Sequence, residues 1–408
     1  MQRVGITSLS VWTNFGRGER PLLEGMKSGQ RSLEPVQLPY IDDPWFKMKR
    51  GMQLPPPSTI ECRFEDRTVT LDPFEWPAEI AVRTALDAIV ESGRAHEAYA
   101  PHRVAICSGT SHGSNHGLLE HLRQESQGQT PDPALLLDLP AMVAARMSEA
   151  LGAQGPCVTY NTACSAGINA IGQGARLIES GRADLVLAGG HDSFSLLSFA
   201  GFTSLKALDP GGTRPFDTRR DGLSLGDGAA YVVLESEESL SRRGVQPRAW
   251  VEGYAYLGEA YHPTAPDPEG LGVESSMRTV LGQVREPKRL ALISAHGTGT
   301  PANDGAELRA MSRVVDALEP SEVVDVFSLK SQTGHALGAA GSIQSVAAVL
   351  SMEHGLVPAT VGLQTPEEHG PGLRLGASPR EREIPLCICN GLGFGGSVAS
   401  LGLAHPSS

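Results

Sequence analysis

No run of about 18 apolar residues, the length a membrane-crossing helix needs, occurs anywhere in the chain, so no span is expected. The Met1 to Gly16 stretch has no basic head followed by a long apolar run, which argues against a secretory signal. A cytoplasmic location is the expectation that follows. Cysteine is sparse. Cys62, Cys107, Cys157, Cys164, Cys387 and Cys389 are scattered through 408 residues, a pattern of reduced thiols rather than of a disulfide framework. Cys387 and Cys389 have no second ligand pair to complete a zinc site, and "PLCICNGLGFGG" reads as an apolar strand entering a glycine turn, so no metal is expected. Positive charge is also short. With 34 lysines and arginines against 46 acidic residues, a formal charge of −12 argues against nucleic acid as a partner. An acidic partner would need a local basic spot, for which the candidates are Lys47, Lys49 and Arg50, Lys206, Arg214, and the neighbours Arg219 and Arg220.

What the chain does have is the composition of a large globular core, 40% hydrophobic and 20% charged. Strand-like and helix-like segments alternate from end to end, the pattern of a layered α/β protein. "RVGITSLSV", "RVAICSG" and "ADLVLAGG" read as strands and "PAEIAVRTALDAIVES" as a helix. After "GAAYVVLESEESLSRRG" the order starts again, with strands "AWVEGYAYLG", "LALISAHGTGT" and "VVDVFSLK", helices "SSMRTVLGQV", "NDGAELRAMSRVV" and "GSIQSVAAVLSMEHG", and a final strand pair. A duplicated unit is expected, with one half over 1–247 and the other over 248–408. Parallel sheets covered on both faces would follow, with chemistry at the carboxyl ends of the strands. The segment from Asp192 to Arg243 and the stretch "RQESQGQTPDP" read as loops outside the repeat.

Cys164 stands in "YNTACSAGINAIGQGARLIESG", where Ile168, Ile171, Ala175 and Ile178 recur at helical spacing and Gly181 ends the helix. A cysteine in the first turn meets the positive end of the helix dipole, which favours the thiolate and makes a nucleophile. Taken alone it reads first as a small core residue. Two further motifs change that. In "AHGTGTPANDGAE", His296 leaves an apolar strand for a glycine-threonine turn, and in "SLKSQTGHALGAAGS", Lys330 ends a strand and His335 opens a helix. The His335 turn occupies the place in the second half that the Cys164 turn has in the first. A Cys-His-His set at strand ends facing one crevice is a nucleophile with two polar partners.

Together these motifs, with "TRPFDTRRDGLSLGDGAAYVVLE", "EAYHPTAPDPEG" and "NGLGFGGSVASL", resemble the elongating β-ketoacyl-acyl carrier protein synthases of the thiolase superfamily, across nearly the whole chain. The resemblance implies an α/β fold, a five-layered αβαβα sandwich of two pseudo-symmetric halves. It also implies decarboxylative condensation of an acyl thioester with a malonyl thioester through an acyl-Cys164 intermediate. His296 and His335 would stabilise the thioester oxygen, and the backbone N–H groups of Cys164 and Phe394 would hold the acyl oxygen. Lys330 would pair with Glu307, with Asp304 in the same network, and Thr298 and Thr300 would bind the pantetheine amides. Lys206 matches a carrier-docking position. No cofactor is implied, since substrates arrive on the phosphopantetheine of an acyl carrier protein. The expected assembly is a homodimer or a pair with a related chain.

Three departures bear on the acyl chain. Leu392 stands where many relatives have phenylalanine, Thr110 takes a commonly apolar chain-gating place, and Asp138 falls where a dimer-contact aromatic often lines the pocket. They raise the expectation of a polar, unsaturated or aryl chain from secondary metabolism, with fatty acyl groups as the other possibility. Among competing functions, a biosynthetic thiolase would need a second cysteine in the last glycine turn, where Leu392, Gly393 and Phe394 stand. An initiating synthase would have Asn in place of His335, and a papain-like hydrolase would need a tryptophan-bearing nucleophile motif. A non-catalytic, chain-length-setting subunit is the alternative from another class, opposed by the retained Cys164, His296 and His335.

Overall fold

The computed structural model describes residues 2–407 except 39–40, 47, 55–60, 65–66, 71–75, 114, 134 and 136–138. The first half contributes strands β1 (Val4–Thr13), β2 (Val104–Gly109), β3 (Cys157–Tyr160), β4 (Leu185–Asp192) and β5 (Gly228–Ser236). Its helices include α1 (Trp76–Glu91), α2 (Pro140–Leu151), α3 (Ala166–Glu179) and α4 (Leu196–Ser204). The second half contributes β6 (Ala249–Gly258), β7 (Leu290–Ser294), β8 (Val324–Phe327), β9 (Leu386–Gly393) and β10 (Ser397–Ala404), with α5 (Leu271–Leu281), α6 (Pro301–Leu318) and α7 (Ala340–His354).

Within the first half the strands lie side by side as β3, β2, β4, β5, β1, and within the second as β8, β7, β9, β10, β6, which is the same order. The directions repeat too. β2 is parallel to β3 and β4, as β7 is to β8 and β9, while β5 and β10 run antiparallel to both of their neighbours. β1 and β6 pair antiparallel over Val4–Ile6 and Ala249–Val251, which joins the halves about a pseudo-twofold. The expected all-parallel sheets are therefore corrected to mixed ones. "GAAYVVLES", inside the segment read as loops, is β5, buried along its whole length between β1 and β4.

The layers follow from residue type. Ala340 to Met352 of α7 are all buried, a helix apolar or small all round except for Gln344, which only a central layer can hold. α3 and α7 pack on each other and on strands of both halves. Gly167 marks their closest approach, since a Cβ there would stand 2.6 Å from Ser342 N and 2.8 Å from Gly338 O. Outside the sheets, α1 and α2 share a core cluster with Val104, Ile106 and Leu187, and α5 and α6 share another with Leu290, Ile293 and Val326. The result is a five-layered αβαβα sandwich. A smaller cluster of Val36, Phe46, Phe194, Phe199, Leu223 and Leu337 caps the strand ends. No helix among the described residues is long and apolar enough to cross a membrane.

Candidate active site

Cys164 is the middle residue of a 3₁₀ turn, Ala163–Ser165, that runs straight into α3. Ala163 holds the left-handed region at φ 50°, a strained conformation for a residue with a Cβ, and such strain gathers at functional turns. In the second half Leu337 at φ 47° opens the matching turn Leu337–Ala339 ahead of α7. The residue in register with Cys164 is thus Gly338, and His335 lies three positions upstream rather than at the helix start. Lys330 likewise opens a short helix, Lys330–Thr333, instead of ending β8.

Burial pushes the Cys164 thiol up to about 12, against the pull of the Lys330 charge. The expected resting thiolate is therefore corrected to a neutral thiol, because lost solvation outweighs the Lys330 charge. His296 and His335 are both buried, with ring centroids 5.3 Å apart and planes at 84°. Burial first, then the Lys330 charge, holds both imidazoles well below their usual range, so both are neutral. Neither Nδ1 has a hydrogen-bond partner among the described residues.

The His296 backbone is gripped from both sides. Its N–H and that of Gly297 donate to Glu307 at 2.7 and 2.8 Å, and its carbonyl accepts from Lys330 Nζ at 2.6 Å. Lys330 and Glu307 were expected to pair directly. Instead they act across that peptide, and the ammonium's second acceptor is Gln344 Oε1 at 2.9 Å. Burial lowers Lys330 and raises Glu307, each partly offset by the other's charge. Asp304 accepts from Phe216 N at 2.9 Å and from Gly299 N at 3.1 Å, which ties the His296 turn to the segment at Phe216.

Cys164, His296 and His335 line one cleft of about 930 Å³, its open mouth included. That is within the size of ordinary ligand sites. Thr298 and Thr300 line it as well, their hydroxyls 2.9 Å apart. So do Leu392, Gly393 and Phe394, and the ladder between β9 and β10 closes at Gly393 and Ser397, leaving Phe394 just beyond it. Phe394 is 42% exposed and rests on Phe202, centroids 5.7 Å apart. Gly395 and Gly396 follow at φ 83° and 76°, so the turn is built on backbone that favours glycine.

Thr110 is the other correction. It is buried at the end of β2 with its hydroxyl on Asp192 at 2.7 Å, and it does not line the cleft. Its polarity is consumed inside the fold and says nothing for a polar acyl chain. Asp138 and Lys47 lie outside the described residues. Of the remaining cationic candidates, Arg214, Arg219 and Arg220 are paired with Asp209, Asp217 and Glu367, and Lys49 donates to the Asp42 carbonyl. Arg50 donates to the Leu33 carbonyl. Lys206 is exposed with no partner found among the described residues, between two residues that line the cleft, Leu205 and Ala207. Cys387 and Cys389 are buried in β9.

Sequence reasoning gave no role to Gln344, or to the wall formed by Glu259 and His262 to Pro266. It also passed over Asp192, which accepts from Thr110, Ser111 N and Gly338 N and so ties two loops behind the cleft to the end of β4. The available signal was a polar side chain inside an apolar helix or strand end, which must find partners.

Comparison with known proteins gives one answer. Residues 49–239 match the family described as "Beta-ketoacyl synthase, N-terminal domain" and residues 248–364 its "C-terminal domain". The tetracenomycin polyketide synthase ketoacyl synthase alpha subunit of Streptomyces glaucescens is 34% identical over 430 aligned positions, covering 99% of this chain and 97% of that protein. Among solved structures, the ishigamide ketosynthase/chain length factor superposes with a TM-score of 0.88 at 30% identity, covering 99% of each chain. A ketosynthase bound to a hexaketide, in complex with its type II polyketide acyl-carrier protein, superposes with a TM-score of 0.86 at 25% identity, covering 99% of each chain.

Proposed function

The chain belongs to the β-ketoacyl synthase family, and from that premise we propose how its own residues carry decarboxylative condensation. Cys164 attacks the carbonyl of an acyl thioester on a phosphopantetheine arm. The acyl group passes to sulfur, and the proton lost by Cys164 ends on the departing carrier thiol. Since the resting thiol is neutral, ionisation is coupled to that attack, assisted by the α3 N-terminus and the Lys330 charge. A malonyl thioester then enters and loses carbon dioxide, and its enolate carbon attacks the acyl carbonyl. The C–S bond breaks, and the released Cys164 thiolate takes up a proton from solvent.

Both half-reactions build negative charge on a thioester oxygen. Neutral imidazoles donating a hydrogen bond there, His296 and His335, each contribute on the order of 3 kcal/mol to the transition state, with His296 the main partner in decarboxylation. The backbone N–H groups of Cys164 and Phe394 hold the oxygen of the acyl-enzyme, and Phe394 gates the pocket on its glycine hinges. Thr298 and Thr300 bind the pantetheine amides, while Asp304 and Glu307 keep the His296 turn in place. Lys206, an exposed cation beside the cleft-lining Leu205 and Ala207 with no carboxylate partner found among the described residues, receives an acidic acyl carrier protein. The halves divide at 1–247 and 248–408, and the enzyme works in the cytoplasm as a dimer with itself or a related chain. The product class we favour is a polyketide, with a fatty acyl chain as the other possibility, because relatives aligned over the whole chain include ketosynthases named as parts of polyketide synthases. A non-catalytic, chain-length-setting subunit is the weaker reading.

The observation that carries the proposal is that Cys164, His296 and His335, far apart in sequence, line one cleft with the Phe394 turn at its edge. Intact-mass measurement after incubation with acyl-loaded carrier proteins is the test. An acyl adduct on the wild type that vanishes in Cys164→Ala is expected. Its absence with every carrier, or its persistence in the variant, overturns the assignment.

A further inference from the structure

Ser165 follows the nucleophile, and Ser397 opens β10 three residues after Phe394. Both are buried, with their hydroxyl oxygens 2.6 Å apart, and among the described residues this is the one side-chain hydrogen bond between the Cys164 turn and the Phe394 turn. A hydroxyl has one proton and two lone pairs. The Ser165 proton goes to the Thr162 carbonyl at 2.8 Å, which only accepts, and its lone pairs face Asn169 Nδ2 at 3.1 Å and the Ser397 hydroxyl. Ser397 is therefore the donor. Asn169, buried in α3, also reaches Thr162 Oγ1 at 2.7 Å, so its amide spans the turn from the residue before Ala163 to the residue after Cys164. Its Oδ1 accepts from the Tyr254 hydroxyl at 2.9 Å. Tyr254 comes from β6 in the other half and is itself held, its backbone N–H and carbonyl each bonded to the Gln283 amide at 3.1 Å and its ring laid on Gly172, where no Cβ would fit.

Resting on the reaction set out above, we propose that Ser165 and Ser397 are positioning residues whose hydrogen bond sets the spacing of the Cys164 and Phe394 backbone N–H groups that receive the acyl oxygen, with Asn169 and Tyr254 bracing it from behind. The two donors sit on turns from different halves of the chain, so their separation depends on how those turns are tied. A tetrahedral oxyanion is stabilised only by donors within a few tenths of an ångström of their best distance. The Phe394 turn needs a tie more than most, because Gly395 and Gly396 at φ 83° and 76° leave it on backbone that no side chain stiffens. Ser397 is the first residue after those glycines with a side chain, and its hydroxyl is bonded to the residue next to the nucleophile. The Tyr254 phenol does the same for the other side, since it fixes the Asn169 amide that holds Ser165 and Thr162.

The test compares two reactions of Cys164 in the full-length protein at one pH. Acyl transfer from acetyl- and hexanoyl-loaded carrier proteins passes through an oxyanion, whereas alkylation by iodoacetamide displaces iodide at a saturated carbon and builds no charge on oxygen. Alkylation is read by peptide mapping, because the exposed Cys157 also reacts. Ser397→Ala is expected to slow single-turnover acyl transfer about tenfold, less than the loss of a donor outright, and to leave the alkylation rate within about twofold. Ser397→Thr, which keeps the hydroxyl on a strand that suits a β-branched residue, restores most of the acyl transfer. Tyr254→Phe removes one oxygen from the brace, slows acyl transfer in the same selective way, and serves where the Ser397 variant does not fold. Acyl transfer unchanged in the folded variants, or acyl transfer and alkylation falling together, overturns the proposal. If the wild type acylates and the variants match it, this inference fails and the functional reading stands; if the wild type takes no acyl group from either carrier, the functional reading fails and the inference with it.

Discussion

Gly393 shows how little room the nucleophile has. A Cβ at this position would stand 2.9 Å from Thr162 O, 3.1 Å from the Ala163 Cβ and 3.2 Å from Cys164 N, so the closing turn and the nucleophile turn touch through a missing side chain. Gly393→Ala must push them apart by tenths of an ångström. Misplacement on that scale at a reacting atom is costly. Single-turnover acyl transfer to Cys164 is expected to slow by about 10- to 100-fold with the melting temperature little changed, and an unaltered rate would remove the turn from the mechanism. Individual residues were legible in the sequence where a reactive side chain left an apolar strand for a glycine turn, which is how Cys164, His296 and His335 stood out. What such a pattern does not carry is the partner of each group. Thr110 reads as a pocket residue until Asp192 claims its hydroxyl, and Lys330 reads as a carboxylate's partner until Gln344 supplies the acceptor. The state of the Cys164 thiol was misjudged for a related reason, because a helix start is visible in sequence and the depth of burial is not.

At the scale of elements, the crossing of α3 over α7 decides whether the two halves register. Ser342 N and Gly338 O lie under 3 Å from where a Gly167 side chain would begin, and both are backbone, which cannot swing aside. Gly167→Ala forces the helices apart and with them the Cys164 and His335 turns. Overpacking of this kind costs about 1–3 kcal/mol, and more where backbone must move. A thermal melt should therefore fall by several degrees, with condensation lost before the fold is; a melt matching the wild type would mean that the helices do not meet here. Most elements were readable from periodicity, and the repeat was readable from their order. The errors have local causes. β5 was hidden because a Gly- and Pro-rich stretch, 206–227, precedes it, and punctuation of that kind reads as loop until strand pairing overrides it. Strand direction was misread because alternating strands and helices imply parallel pairing, while the last two strands of each half in chain order pair with each other in antiparallel register.

For the whole molecule, the five-layer arrangement has a consequence in alkali. A sandwich with two central helices buries groups that a thinner fold would leave wet, and its thiols show it. Burial pushes Cys62 up to about 11 and Cys107 and Cys164 up to about 12, and Cys387 is raised well above its usual value. In the unfolded chain a thiol loses its proton near pH 8.5. Between that value and the folded ones the native state binds more protons than the unfolded state, so stability present below about pH 8.5 is lost as pH rises. Each thiol contributes up to about 1.4 kcal/mol per pH unit. The lowered Lys330 works in the opposite direction over part of the same window, because there the unfolded state holds the extra proton. Buried tyrosines add to the loss at higher pH, Tyr254 being raised to about 12 by burial. Four thiols outweigh one lysine, and the net slope above pH 9 is on the order of 4 kcal/mol per unit. The urea midpoint measured under reducing conditions should hold steady from pH 7 to 8 and drop sharply between pH 9 and 10. Replacing Cys107 and Cys387 with alanine should flatten that drop even though each substitution lowers the midpoint at pH 7. A midpoint as high at pH 10 as at pH 8 would mean that the thiols ionise in place and that the layers admit water to them.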